Sequence, residues 1–336
     1  MAAAAPNSPI DGMAEHILPL PVPSSGQIAY AHNGNPSSRL VVVFFPGLFS
    51  VGTAKTVPAP LRQLDAHWIS PTLPGMGNTS STPPNTPYRV NLAQSLSALL
   101  DHLHPDGLDR LWIAGGSYGT VAAQMIYGAP YDIFPQGRQI AGCMILAGFS
   151  PFKYHKDYSR SLIWPNWVIV GPPSQLVPFR LVQRLISTVF ARQLATLDGA
   201  VSFLRSALFD KMDPAEQAKF DEYLAHQGEG ETMDDFIRNM AETVLRSVKN
   251  WDGFMEVSDA IHSDWGFKPD ELDEQHASKP VLVVGGDQDE LGNKMNEWMV
   301  NNYKNAKGRT IPGGHVSALF YQDELWAQLL EMTADK

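Results

Sequence analysis

One short segment constrains the fold more than any other. Leu111 to Ala114 is an apolar run, Gly115-Gly116-Ser117-Tyr118-Gly119 follows it directly, and Thr120 to Tyr127 then reads as a helix rich in small residues. A strand that passes into a helix through a bend of glycines, with a serine at its apex, lifts the hydroxyl clear of the sheet and sets it at the positive end of the helix. The plainer reading is a glycine-rich loop whose serine caps the helix, and the strand–turn–helix context is what argues against it.

The rest of the chain supplies partners for such a strand. Leu40 to Phe45 is a continuous apolar run closed by Pro46-Gly47, Ile140 to Leu146 is a second, and Val281 to Val284 a third. These suit strands buried on both faces. Gln27 to Ala31 reads as an edge strand, and Trp68 to Ser70 and Arg309 to Ile311 as weaker ones. Helical spacing marks Leu92, Leu96, Leu99, Leu100 and Leu103, then Leu291, Met295, Trp298, Met299 and Tyr303, then Leu325, Leu329 and Met332. Strands alternating with helices predict an α/β fold, a mostly parallel sheet covered on both faces.

Residues 151–278 break this rhythm with helical patterns and no convincing strand. Val182, Leu185, Ile186, Val189 and Phe190 form one stripe, and Met233, Phe236, Ile237, Met240, Val244 and Val248 another. Asp213-Pro214-Ala215-Glu216 reads as a helix start, with a cap, a first-turn proline and a glutamate at the third position. The expected organisation is a disordered tail over 1–15, a core from 16–150 and 279–336, and an all-helical cap over 151–278.

A serine hydroxyl needs a base to become a nucleophile. His315, in Pro312-Gly313-Gly314-His315 after the last short strand, is the candidate. His32, His67 and His262 have no distinctive setting. His102 and His104 lie beside Asp101 and Asp106 and could be read as a metal pair, but the preferred reading is solvated residues at a helix end. The base in turn needs a carboxylate to fix its tautomer. Gly285-Gly286-Asp287-Gln288-Asp289-Glu290, at the C-terminal end of a buried strand, offers three.

The order of serine, acid and histidine, with the helical insertion between strands, resembles the α/β-hydrolase superfamily. The resemblance covers nearly the whole chain after about residue 15. It implies a doubly wound sheet with an inserted cap, Ser117 as nucleophile and His315 as base. In that family the acid often stands three residues after a glycine ending its strand, which favours Asp289 over the alternative Asp287. The family also implies an oxyanion hole from the backbone amides of Tyr118 and of Leu48, with Phe49 as the fallback. Many members carry His-Gly where this chain has Pro46-Gly47, a change that leaves the backbone donor in place. Ser70 to Ser80 resembles the family's Pro-Gly-x-Gly-x-Ser turn. Gly75-x-Gly77 lacks a third glycine at the right spacing, and Pro83-Pro84 forbids the helix a dinucleotide fingerprint requires.

The expected activity is therefore hydrolysis of a small to medium apolar ester through an acyl-enzyme, without cofactor or metal. Carbon–carbon hydrolysis, cyanohydrin lysis, acyl transfer to an alcohol and a slow ligand-binding receptor remain open on the same triad. Epoxide and haloalkane hydrolysis typically use an aspartate nucleophile, which Ser117 opposes. Of the cap aromatics Trp164, Trp167, Phe179, Phe190, Phe203, Phe209, Phe236, Trp251, Phe254 and Trp265, most read as packing, with a few lining an apolar pocket.

Composition closes off other classes. The net charge of −10 repels phosphate backbones, so nucleic acid is not an expected partner. The longest apolar run is too short to span a bilayer, and the first residues lack the apolar core of a secretory signal. Cys143 is the single cysteine and reads as buried packing. A chain that needs no disulfide suits a reducing compartment, so a cytoplasmic location is expected. The oligomeric state is not legible.

Overall fold

The computed structural model describes residues 12, 14–21, 26–227, 230–291 and 293–334. Eight strands form one sheet: β1 (His16–Pro19), β2 (Gln27–Gly34), β3 (Leu40–Phe45), β4 (His67–Pro71), β5 (Arg110–Gly116), β6 (Ile140–Leu146), β7 (Val281–Gly286) and β8 (Ala306–Ile311). Their spatial order is β1-β2-β4-β3-β5-β6-β7-β8, with β1 and β2 antiparallel and every pairing from β4 to β8 parallel. The expected α/β, mostly parallel, doubly wound sheet is present.

Five helices cover the sheet: α1 (Ala59–Gln63), α2 (Tyr88–Leu103), α3 (Gly119–Tyr127) and, after the insertion, α12 (Asn293–Asn302) and α13 (Gln322–Thr333). The period of two along each buried strand sorts the side chains. Val41, Val43, Leu111, Ile113, Val281 and Val283 pack on one face with Leu96 and Leu99 of α2, Val121 and Met125 of α3 and Met295 of α12. Val42, Trp112, Ala114, Leu282 and Val284 pack on the other with Leu61 of α1 and Leu325, Trp326 and Leu329 of α13. The unbroken apolar runs are thus a strand's two buried faces read in alternation.

The insertion between β6 and β7 carries α4 (Trp164–Val170), α5 (Pro172–Leu176), α6 (Leu181–Gln193), α7 (Leu197–Leu204), α8 (Pro214–Gln227), α9 (Met233–Ser247), α10 (Asp252–His262) and α11 (Glu274–Ala277), and no strand among the described residues. Its ends and its middle pack differently. Phe152, Tyr158, Val257, Ile261, Trp265 and Ala277 join the core beside the sheet. Leu194, Leu204, Phe209, Phe220, Ile237 and Val244 form a cluster of their own, which meets the core at Phe320. The tail expected over 1–15 falls mostly outside the described residues. Glu15, at its end, pairs with Arg246 of α9 at 3.0 Å.

Several expectations need correction. A strand at His16–Pro19 forms the sheet edge, so β2 is an interior strand, and it runs three residues further than read. The cause is tertiary. His32 Nδ1 meets His67 Nε2 at 2.8 Å, and His67 Nδ1 meets His104 Nε2 at 2.9 Å. Polar residues that end an isolated strand pattern are here satisfied by a neighbouring strand and by the end of α2. His67 is fully buried and so does have a distinctive setting, and His104 is nearly buried and so is not solvated. The stripe read on α6 also divides: Ile186 and Phe190 are half-buried, whereas Leu185 and Val189 face solvent.

Candidate active site

The sheet reverses its winding at β3. The chain leaves β3 for β4 on one side, then returns across it to β5 on the other. The crevice outside the carboxyl ends of two strands wound in opposite directions is where open α/β sheets bind ligands. Here those ends carry Pro46-Gly47-Leu48 and Ser117.

Ser117 has φ of 50°, a left-handed conformation that a non-glycine residue adopts only when its surroundings impose it. The amide of Ser117 donates to the Leu146 carbonyl at 2.8 Å. Its carbonyl accepts from the Thr120 amide at 3.0 Å and from Thr120 Oγ1 at 2.6 Å. Thr120 Oγ1 also accepts from the Phe149 amide, while Gln124 Nε2 donates to the Phe149 carbonyl. Tyr303 then donates to Gln124 Oε1 at 3.0 Å. The bend is thereby anchored from behind by a buried, satisfied polar network. Gly119 is required by contact: a Cβ there would stand 2.2 Å from the Phe45 carbonyl oxygen. The same closeness brings the end of β3 against the bend.

The acid and histidine loops interlock. The Asp287 amide donates to Ile311 O at 2.9 Å and the Gln288 amide to Gly313 O at 3.0 Å. The Gly313 amide donates to Asp287 Oδ1 at 2.9 Å. A Cβ on Gly286 would lie 2.2 Å from the Gly313 oxygen, so only glycine lets the loops approach this closely.

The three residues singled out from the sequence meet. His315 Nε2 lies 2.8 Å from Ser117 Oγ. His315 Nδ1 lies 3.1 Å from both Asp289 carboxylate oxygens. Asp289 is almost fully buried and also accepts from the Leu291 amide at 2.9 Å. Asp287 Oδ1 holds the loop that carries the histidine through the Gly313 amide. Glu290 faces solvent. Gly47 packs against the bend, where a Cβ would lie 3.4 Å from the Ser117 Cβ. Phe49, at φ of 57°, turns its ring into the cap, stacking on Phe254 and meeting Phe190, Phe203 and Trp251 edge-on.

Ser117 and His315 open into a cavity of about 810 Å³. Phe203, Leu204, Leu208, Phe236, Met240 and Val244 of the cap and Leu319 and Phe320 of the core line it, with Lys55, Glu222 and Glu231 among its polar contributors. Trp164 and Phe179 are not part of the lining; both are exposed on the cap surface.

Glu216 was legible only as a helix-start residue. Asp213 Oδ1 does cap α8, accepting from the Ala215 and Glu216 amides. The Glu216 side chain instead leaves its helix for the core. Its Oε1 accepts from the Gly314 amide at 3.0 Å and from the Ser317 hydroxyl. Asp213 Oδ2 accepts from Gln288 Nε2 at 2.6 Å. One turn of the cap therefore grips both loops on either side of the His315–Asp289 pair.

A mostly parallel sheet with a serine on the bend after its central strand, and an acid and a histidine on its last two strand ends, is the architecture of an α/β hydrolase with a helical insertion. The sequence model of the Alpha/beta hydrolase family matches residues 42–329, and the chain belongs to that family. No curated protein matches the chain. Among solved structures, a hydrolase from Pseudomonas aeruginosa aligns over 95% of this chain and 97% of its own, at 13% identity and a TM-score of 0.58. A carboxylesterase structure from the thaumarchaeon Nitrososphaera gargenis covers 96% and 100%, at 15% identity and 0.54. MenH from S. aureus covers 91% and 98%, at 16% identity and 0.52. At these identities the likeness is one of fold. No helix among the described residues is long and apolar enough to cross a membrane.

Proposed function

We propose that the protein is a serine esterase that hydrolyses an apolar carboxylic ester through an acyl-enzyme. The observation that carries this reading is the pair of contacts made by one ring, 2.8 Å to Ser117 Oγ and 3.1 Å to Asp289. Both fall within the reach required of a nucleophile and its base. His315 Nε2 takes the Ser117 proton as Oγ attacks the ester carbonyl. The amides of Leu48 and Tyr118 hold the oxyanion, each such donor being worth about 10²–10³ in rate. The tetrahedral intermediate collapses, the ester C–O bond breaks, and the alcohol leaves with the proton from His315. Water then attacks the acyl-enzyme with His315 again as base, releasing the acid and restoring Ser117. Asp289 keeps Nδ1 protonated and stabilises the imidazolium.

The cavity supports an apolar substrate. Its volume lies within the range of about 300–1,000 Å³ usual for small-molecule sites, and aromatic and aliphatic side chains dominate its cap side. Hydrolysis of a series of p-nitrophenyl esters of increasing acyl length tests the reading. Turnover should peak at a medium chain, and Ser117→Ala should lower kcat by about 10⁶. Retention of most turnover by Ser117→Ala ends the proposal.

A further inference from the structure

Helix α6 turns one of its apolar stripes to solvent while Ile186 and Phe190 stay half-buried. Its buried positions include Gln183 and Ser187, while Leu181, Leu185 and Val189 are 51%, 70% and 60% exposed. A helix on a protein surface ordinarily does the reverse, as α9 does in the same cap, burying Ile237, Ala241 and Val244. The inversion costs a satisfied polar group, because Gln183 Oε1 is buried with no hydrogen-bond partner among the described residues. Leu181, Leu185 and Val189 recur every four residues and form one stripe. Exposed Trp164 on α4, Leu176 on α5 and Phe179 in the turn before α6 extend it across helices that pack against one another.

Charge separates this face from the rest of the molecule. Residues 158–197 contain Arg160, Arg180, Arg184 and Arg192 and no acidic residue, in a chain of net charge −10. Arg160 pairs with Asp157 at 3.3 Å and Arg180 with Asp259 at 2.6 Å. Arg184 and Arg192 are exposed beside the stripe. An apolar stripe flanked by arginines, with an exposed tryptophan at its margin, has the chemistry of a helix lying in the plane of an anionic bilayer.

We propose that the outer face of α4 to α6 docks on an anionic lipid surface, with Leu181, Leu185 and Val189 entering the headgroup–acyl boundary and Arg184 and Arg192 meeting lipid phosphates and carboxylates. A second copy of the chain fits less well. A two-fold contact through this face sets its arginines against themselves, with no acid on the stretch to answer them. The negative remainder of the protein does not prevent docking. At about 0.1 M salt, charges more than roughly 10 Å from the lipid are screened, so the adjacent arginines outweigh the distant acids. Docking is peripheral and independent of the proposed esterase reaction. The other side of α6 carries Phe190, which meets Phe49 edge-on, so the docked face would be the outside of a wall that contacts the oxyanion loop.

Flotation of the full chain with vesicles tests this. Binding is expected to vesicles of equal parts phosphatidylcholine and phosphatidylserine, not to phosphatidylcholine alone, with release between about 0.1 M and 1 M salt. Arg184→Ser and Arg192→Ser should each weaken partition by about fivefold. Leu185→Ser with Val189→Ser should remove it, while melting temperature and hydrolysis of a soluble ester stay unchanged. Three results would each overturn the proposal: no flotation with either vesicle, equal salt-insensitive flotation with both, or a concentration-dependent dimer in light scattering that the Leu185/Val189 pair abolishes.

Discussion

Replacing Glu216 by alanine tests how far the cap sets the geometry of the catalytic loop. Its Oε1 accepts from the Gly314 amide and the Ser317 hydroxyl, the residues flanking His315 on the near and far sides. Ser317 is fully buried, so without the carboxylate its hydroxyl has no water to turn to; Gly314 is half-buried and can recover one. A hydrogen bond to a charged acceptor contributes about 1.5–3 kcal/mol, and only the Ser317 bond should be lost in full. Since about 1.4 kcal/mol is tenfold in rate, kcat should fall by roughly 10- to 100-fold as the ring leaves its position over Ser117 Oγ. KM should change little, because Glu216 is not among the cavity-lining residues. Glu216→Gln keeps an acceptor oxygen and should recover most of the rate. The assay is steady-state hydrolysis of a p-nitrophenyl ester, with melting curves to show that each variant is folded. An unchanged kcat in Glu216→Ala, or a glutamine variant as impaired as the alanine one, would show that the cap does not position His315.

Three further outcomes follow from the same geometry. Asp289→Asn should cost about 10⁴ in kcat, as expected for loss of the residue that fixes the base's tautomer, whereas Asp287→Asn, which can still accept from Gly313, should cost far less; esterase kinetics on the two variants distinguish the acids. Gly119→Ala drives a methyl to 2.2 Å from the Phe45 carbonyl and should destabilise the fold by at least about 2 kcal/mol in a denaturant titration. Burial together with His104 and His32 lowers the pKa of His67 to about 3, and burial also lowers those of His32 and His104. The unfolded chain then binds protons that the native chain refuses. His67 stability is fully present above about 6.5 and declines as pH falls from there toward about 3, at up to roughly 1.4 kcal/mol per pH unit. His67→Asn should flatten that slope in pH-dependent urea melts, and an unchanged slope would contradict the assignment.

The buried parallel strands and the three residues that meet at the bend were legible because their signals are local. A buried parallel strand is a continuous apolar run, and a nucleophile bend needs its glycines within one turn. The choice of Asp289 over Asp287 needed the family's spacing, since both acids sit on the same loop, and it is Asp289 whose carboxylate lies 3.1 Å from the ring. What was not legible depends on contacts across long stretches of chain. Glu216 satisfies every local rule for a helix start, yet its side chain bonds residues about a hundred positions away. The His32–His67–His104 chain forms only when β2, β4 and the end of α2 come together. The period of α6 gives its stripe but not which way the stripe faces. Gln183 and Ser187 are buried where α4, α5 and α10 pack against α6, and there Ser174 O accepts from Gln183 Nε2.

In the proposed mechanism Ser117 is a hydroxyl activated by His315. Incubation with a fluorophosphonate probe, followed by mass mapping of the labelled peptide, tests it directly. The expected result is a single adduct on Ser117, absent in Ser117→Ala and slowed by orders of magnitude in His315→Ala. An unlabelled folded protein, or equal labelling with and without the His315 ring, would mean that His315 does not activate Ser117.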